Sequence, residues 1–355
     1  MKIVQIMPEF GLAGAEVMCE NLIYELIKLG HKVTVVSMYN YHSVITERLE
    51  REGVEIRYLN KKPGLDLSIV AKISRILREI RPDVVHTHLY CAKYAIPASI
   101  VARVKHRVHT VHNIAEKENE ALARKLNKFF FAHCKVIPVA LSELIRYSIV
   151  KEYRIEKDNV PVIYNGINLS KCMCKDDYSI KGSFKILHIG RFSEQKNHIG
   201  LLNAFKQFHD KCSDSELWLV GDGEKRSEIE MFVNENGLDS SVKFFGLRND
   251  VYDILHDADV FTLPSNYEGI PMTLIEAMGT GLPIVATAVG GIPDMLTNDV
   301  NALLVDNKTD AIANAFEQYF LSEDMRKTHG KSARTRSTAF SAITMASQYE
   351  RVYKI

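Results

Sequence analysis

The chain has 355 residues, enough for about two domains at roughly 150 residues each, and far more than a minimal binding module needs. Its 46% hydrophobic and 25% charged residues match an ordinary globular composition and exclude collagenous, disordered and membrane-embedded classes. The net charge of +1 hides a division, because residues 1–170 carry 25 Lys+Arg against 18 Asp+Glu while residues 171–355 carry 20 against 26.

A basic first half suits an anionic partner. The excess is modest and spread over many elements, which favours a phosphate-bearing small molecule or an anionic membrane surface and argues against nucleic acid. No apolar run approaches the roughly 18 residues that span a bilayer, and the IVQIM run after Lys2 is too short for a signal-peptide core. The expected compartment is therefore the cytoplasm. Cys19, Cys91, Cys134, Cys172, Cys174 and Cys212 are scattered and read as reduced thiols. The close pair Cys172 and Cys174 has no second Cys or His cluster at zinc spacing and reads as incidental.

In chain order, IVQIM (3–7) precedes a helical stretch from Ala15 to Leu29, KVTVVSM (32–38) follows, and VEIRYL (54–59) leads to a helix over 68–80. DVVHTHL (83–89), RVHTVH (107–112) and KVIPV (135–139) continue the series. The pattern breaks near 168–183, where Ser, Lys and Asp collect without an apolar period. It restarts with FKILHIG (184–190), ELWLVG (216–221), VKFFG (242–246), DVFTLP (259–264), LPIVAT (282–287) and NALLV (301–305). Strands alternating with helices at this spacing predict an α/β chain of two doubly wound parallel-sheet domains, whose ligands bind at the carboxyl ends of strands. The expected divisions are 1–168, a linker at 169–183, a second domain at 184–338, and a closing helical segment at 339–355.

Three segments carry chemistry. In PEFGLAGAEVM, Gly11 and Gly14 stand before a helix whose N-terminal amides favour an anion, although a tight turn explains the glycines as well. In GRFSEQKNH (190–198), Arg191 and Lys196 fall in a loop that opens a helix, so two fixed cations could neutralise a departing diphosphate; as a random Arg/Lys pair they would read better as solvated surface charges. PSNYEGIPMTLIEAMGTGLP (264–283) sets Glu268 on a loop, Pro271 at a helix start and Glu276 inside the helix. Eight positions along a helix are about 12 Å of rise, too long for the ~5 to 9.5 Å between paired hydrolytic carboxylates, so the two glutamates suit separate parts of one ligand. His86 and His88 are expected on opposite faces of their strand, unable to share a metal, and His112 is the preferred functional histidine.

Taken together, the Gly-Ala-Glu loop at Gly14 to Glu16, VVHTHL, VIYNGIN (162–168), GRFSEQKN, VGDGE (220–224), EGIPMTLIEAMGTGLPIVAT and GGIPDM (290–295) resemble the retaining glycosyltransferases of family 4 with the GT-B fold, over essentially the whole chain. The resemblance implies two Rossmann-like domains with a cleft between them and a final helix crossing back onto the first. It implies a nucleotide-sugar donor bound mainly by the second domain, with uridine the favoured base, and a glycan or glycolipid acceptor bound mainly by the first.

By the same resemblance His112, Arg191, Lys196 and Glu268 would be catalytic. Gly14, Gly190, Asn197, Gly221, Gly269, Ile270, Pro271, Thr273, Leu274 and Glu276 would bind the donor, and Glu16 and His88 the acceptor. Ile270-Pro271 stands where relatives often have Phe-Gly or Phe-Pro and does not reveal the sugar. Transfer would retain configuration, the departing phosphate taking the acceptor's proton. No Asp-x-Asp motif is read in the chain, and Arg191, Lys196 and helix dipoles could replace a metal, so neither metal nor other cofactor is expected.

Relatives often act on lipid-linked acceptors for cell-surface polysaccharide. Residues 121–135 combine Arg124, Lys125, Lys128 and Lys135 with Leu122, Leu126 and Phe129 to Phe131, which suits either an anionic leaflet or the protein core. Two rival functions share the architecture: a nucleotide-sugar 2-epimerase, and a non-catalytic donor-binding subunit of a polysaccharide assembly complex.

Overall fold

A computed structural model describes residues 1–11, 13–118 and 120–355. Its strands are β1 (Lys2–Met7), β2 (Lys32–Ser37), β3 (Glu55–Tyr58), β4 (Val84–His88), β5 (His106–Val111) and β6 (Val136–Ala140), followed by β7 (Phe184–Ile189), β8 (Ser215–Val220), β9 (Val242–Gly246), β10 (Val260–Leu263), β11 (Ile284–Thr287) and β12 (Leu303–Val305). Every run expected as a strand is one, within two residues of its expected bounds. They form two parallel six-stranded sheets, ordered β3-β2-β1-β4-β5-β6 and β12-β11-β10-β7-β8-β9.

Both orders reverse direction once, between β1 and β4 in the first sheet and between β7 and β10 in the second. At such a point neighbouring crossovers run to opposite sides, and a crevice opens at the carboxyl ends of the two strands. Both sheet faces are covered, so the strands read as continuous apolar runs rather than as alternating ones. In β1, Ile3 joins Met18, Leu22 and Leu26 of helix Gly14–Lys28 on one face. Its neighbour Val4 and then Ile6 join Ile73 and Leu77 of helix Ser68–Ile80 on the other.

The first unit comprises Met1–Gly166 and Ala342–Ile355, the second Ile167–Ser341. Helix Ala342–Tyr353 belongs to the first unit because Met345, Ala346, Tyr349, Val352 and Tyr353 form one buried stripe at helical spacing against helix Gly14–Lys28 and the first sheet. Residues 169–183, expected as a linker, belong to the second unit. The Lys175 backbone N–H donates to the Thr280 carbonyl at 2.9 Å, its ammonium to the Ala258 carbonyl at 2.7 Å, and the Tyr178 hydroxyl to the Gly281 carbonyl at 2.9 Å. Backbone hydrogen bonds and a buried tyrosine give this stretch a fixed course that its weak periodicity did not announce.

Two readings of the sequence need correction. His86 and His88 share one face of β4, with ring centroids 4.2 Å apart, because strand side chains repeat every two residues. And Asp257-Ala258-Asp259 does spell Asp-x-Asp. Asp259 is buried at the start of β10, the end opposite the crevice, where its carboxylate accepts the Lys185 N–H at 2.9 Å and pins two strand ends together.

Candidate active site

In the second unit, the loop after β7 and the loop after β10 meet at the switch point. Lys196 donates to Glu268 Oε1 at 2.6 Å, with only 14% and 4% of the two side chains exposed. The same oxygen accepts the Ser265 hydroxyl at 2.6 Å, while Oε2 receives a longer bond of 3.4 Å from Gln195. Two donors thus hold one carboxylate oxygen, and the other is more weakly engaged. Ser265 carries no motif of its own, and only its place three residues before Glu268 could have signalled it.

Glycines let these loops approach so closely. Gly221 has φ +134°, and a Cβ there would lie 2.0 Å from the Gly190 carbonyl oxygen, so the turn after β8 can pack on the one after β7 only without a side chain. Gly190 is itself crowded, a Cβ meeting Lys196 Cε at 3.2 Å.

The remaining expected donor residues divide by what they touch. Arg191 is exposed and pairs with Glu224 at 3.0 Å. Asn197 takes the left-handed conformation, and its side chain caps helix His198–His209 by accepting the Gly200 N–H at 3.3 Å while donating to Asn307 at 2.7 Å. Its side chain is therefore committed to the fold rather than offered to a ligand. After Glu268 and Gly269, buried Ile270 leads to Pro271, which precedes helix Met272–Thr280. Among the described residues no side chain caps that helix, so the first-turn N–H groups, those of Thr273 and Leu274 included, lack intrahelical partners, an arrangement that favours an anion. Leu274 itself is wholly buried, which leaves its side chain to the core. Glu276, one turn on, is half-buried beside Tyr252, whose hydroxyl donates to it at 3.4 Å, and burial pushes its carboxyl up to about 7.

The first unit repeats the pattern in its own terms. Gly14 opens helix Gly14–Lys28 after β1, again with no side-chain cap among the described residues. Glu16 in its first turn is buried, and loss of solvent raises its carboxyl above the usual range, the nearby charge of Glu9 adding to the effect. His112 follows β5; its backbone N–H donates to Glu118 Oε1 at 2.6 Å, and its ring lies 3.0 Å from His88. Burial lowers the His112 ring to about 3 and raises the Glu118 carboxyl to about 8. His88, expected to touch an acceptor, is fully enclosed with both ring nitrogens hydrogen-bonded, to His112 and Gln5, so its ring is closed to direct contact with a ligand.

A cavity of about 430 Å³ lies beside helix His198–His209, and a larger one of about 670 Å³ opens in the first unit. Tyr39, Tyr90 and Tyr94 line the larger one, and the Lys61 and Lys93 ammonium groups stand 5.3 to 5.7 Å from the centres of those rings. Leu65, Leu67 and Leu122 line it too, yet are 71%, 69% and 67% exposed. Helix Ala121–His133 is divided accordingly: Ala123, Phe130 and Phe131 enter the core, whereas Leu122 and Phe129 face outward with Lys125. The segment that suited a leaflet or the core thus has one face in the core and one turned outward. Among the described residues no helix is long and apolar enough to cross a membrane.

The sequence model of Glycosyltransferase Family 4 matches residues 12–171, and that of Glycosyl transferases group 1 matches residues 175–336. The UDP-Gal:alpha-D-GlcNAc-diphosphoundecaprenol alpha-1,3-galactosyltransferase of Escherichia coli is 30% identical over 270 residues, 70% of this chain and 69% of that protein. The N-acetyl-alpha-D-glucosaminyl L-malate synthase of Bacillus anthracis is 26% identical over 97% of this chain and 94% of its own. The crystal structure of Anabaena HepE in complex with UDP and glucose shares the fold, with TM-score 0.84 at 20% identity over 100% of this chain and 99% of that one. Both matched models describe transferases, and the epimerase reading finds no support among these relatives. With one model on each Rossmann-like unit, the chain belongs to the family 4, group 1 glycosyltransferases and has their GT-B fold.

Proposed function

We propose that this glycosyltransferase moves a hexose or N-acetylhexosamine from a UDP-sugar to a lipid-linked glycan, with retained anomeric configuration and without a metal ion, as a cytoplasmic enzyme working at an anionic membrane surface. The observation that carries the reading is the Lys196–Glu268 pair at the switch point of the second sheet. Glu268 occupies one of the three ammonium donors, and a diphosphate oxygen can take another. Arg191 and the first-turn amides of helix Met272–Thr280 would share the charge of the departing group, the work a metal does in other transferases. The weakly engaged Glu268 Oε2 is the oxygen offered to a sugar hydroxyl, and Glu276 the carboxylate offered to the ribose.

In the transfer itself the bond from the anomeric carbon to the diphosphate oxygen breaks, and a bond to the acceptor oxygen forms on the same face. The acceptor's hydroxyl proton passes to the departing phosphate. His112 would lie beside the sugar and orient it.

Uridine is supported by the donor named for the E. coli relative and by the UDP in the HepE crystals. A lipid-linked acceptor is supported by the diphosphoundecaprenol in the E. coli relative's name and by the tyrosine-lined cavity with its exposed leucine rim. Large apolar side chains gathered outward around one cavity are unusual on a chain surrounded only by water. The outward face of helix Ala121–His133, mixing Leu122 and Phe129 with Lys125, suits an anionic leaflet.

Thermal unfolding and donor hydrolysis, measured with UDP-, GDP-, ADP- and dTDP-sugars and with or without EDTA, test the donor half. Transfer to a polyprenyl-diphosphate glycan in phosphatidylglycerol vesicles tests the acceptor half. Stabilisation by a UDP-sugar with EDTA-insensitive turnover is the expected result. Stabilisation without turnover under any condition would favour the non-catalytic donor-binding subunit, and no stabilisation by any nucleotide sugar would overturn the donor assignment.

A further inference from the structure

Beneath His112 the first unit buries an unbroken line of hydrogen bonds that draws on β1, β4, β5 and helix Ala342–Tyr353. His112 Nε2 lies 3.0 Å from His88 Nδ1, and His88 Nε2 lies 3.0 Å from Gln5 Oε1. The Gln5 amide nitrogen donates to the Tyr353 hydroxyl at 3.2 Å, which lies 2.7 Å from His86 Nδ1. His86 Nε2 in turn meets the Thr110 hydroxyl at 2.7 Å, and Thr110 meets Tyr349 at 2.7 Å. Gln5, His86, His88, Thr110, Tyr349 and Tyr353 are all within 1% of complete burial.

Burial keeps His86, His88 and His112 neutral, so each ring has one N–H and one lone pair. That restriction makes the line directional. The Gln5 amide oxygen can only accept, so the proton between it and His88 sits on His88 Nε2. His88 Nδ1 then carries the lone pair and must accept, and the proton between the two histidines sits on His112 Nε2. On the other side, Tyr353 accepts from the amide nitrogen and turns its own proton to His86 Nδ1. Turning the Gln5 amide by half a rotation would reverse every link and move the His112 proton to Nδ1.

We propose that Gln5 and Tyr353 are positioning residues that hold His112 in its Nε2–H tautomer, leaving Nδ1 as the acceptor this ring offers to a substrate hydroxyl. The functional half of this inference rests on the assignment of His112 to the reaction. Which nitrogen of a histidine is protonated is set by the bond made by the other one, and here that choice is made by an amide two links away. Tyr353 ties the choice to helix Ala342–Tyr353, because it is the partner the amide nitrogen faces.

The test is nitrogen NMR of the full chain with 15N-labelled histidine rings, in wild type and in Gln5→Met and Tyr353→Phe variants. Gln5→Met keeps the volume and removes both hydrogen bonds, and Tyr353→Phe removes only the one to the amide nitrogen. Far-ultraviolet circular dichroism and thermal unfolding establish that each variant is folded. His112 protonated on Nε2 is expected in wild type, with a mixture of tautomers in Gln5→Met and Tyr353→Phe. The kinetic counterpart is a fall in kcat of about tenfold for Gln5→Met with the donor KM little changed. A wild-type His112 protonated on Nδ1, or a Gln5→Met tautomer spectrum identical to wild type, would overturn the inference. His112→Ala separates the two layers: full transfer in that variant removes His112 from the reaction, while the ring spectra still decide whether Gln5 sets the tautomer.

Discussion

The Glu268 carbonyl oxygen lies 1.8 Å from where a Cβ on Gly290 would stand, so the Gly290-Gly291 turn closes directly over the backbone that carries the site carboxylate. Gly290 also has φ +59°, which any other residue adopts only with strain. Gly290→Ala should therefore cost about 2 kcal/mol or more, seen as a lower Tm, and should reduce donor hydrolysis because the Glu268 loop must move. Gly237→Ala is the control: its φ is +65° but nothing lies within 4 Å of the added carbon, so a smaller loss of stability and unchanged hydrolysis are expected.

Lys196→Ala and Glu268→Ala should each lower transfer by about 10²- to 10³-fold, the usual loss when a group that stabilises developing charge is removed. Each also strands a poorly exposed charge. The double variant Lys196→Met/Glu268→Gln should be destabilised by less than the sum of its single variants, since no lone charge remains. Chemical denaturation of the four proteins of the cycle checks this, and strict additivity would show that the two side chains do not interact.

With the ribose contact proposed for Glu276, donor binding and stability should follow opposite pH trends. Its carboxyl is raised by burial from 4.5 to about 7, so between those values the folded chain holds a proton that the unfolded chain has released. Stability from this group therefore falls as pH rises through that window and levels off above it. A ribose diol needs the carboxylate as acceptor, so donor affinity should rise from about pH 6 to about pH 8. Glu276→Gln should flatten the rise in affinity and only lessen the fall in stability, because the buried Glu118 carboxyl, raised to about 8, contributes the same trend. His112, held near 3, adds no titration in that range, and a retained rise in affinity would point to a different group.

Leu67→Asp and Leu122→Asp replace exposed leucines at the rim of the tyrosine-lined cavity and should leave folding and donor hydrolysis unchanged. Both should weaken co-sedimentation with phosphatidylglycerol vesicles and raise the KM for a lipid-linked acceptor. Wild-type vesicle binding in both variants would mean that this face does not meet the membrane.

The strands were legible because each is a short apolar run closed by Gly, Pro or a polar turn, and both sheets bury two faces. The switch-point loops were legible because glycines and charges stand together at strand ends, as in GRFSEQKNH and YEGIP. What the letters hid was partnership at long range. Gln5 is one polar residue in an apolar strand, and its partner Tyr353 lies 348 positions away. Asn197 sits in the loop of Lys196 and looked like a ligand group, yet its left-handed backbone and helix-capping side chain follow from a turn geometry that composition does not specify. Asp257 and Asp259 carry a metal-site spelling at the wrong end of a strand, a distinction only topology makes.

Because residues 342–353 are woven into the first unit, synthesis meets the two units out of order. Residues 1–166 leave the ribosome first, but the hydroxyls that serve Gln5 and His86 arrive only after all of the second unit has emerged. Until then the first sheet exposes an apolar trough over helix Gly14–Lys28 and holds unmatched polar groups. The second unit is continuous in sequence and can finish independently, so the nascent chain passes through a stage with a complete second unit and an open first one. Chaperone demand during expression should therefore track residues 1–166, and expressing that fragment together with a 342–355 peptide is the natural way to ask whether the late helix is what closes it.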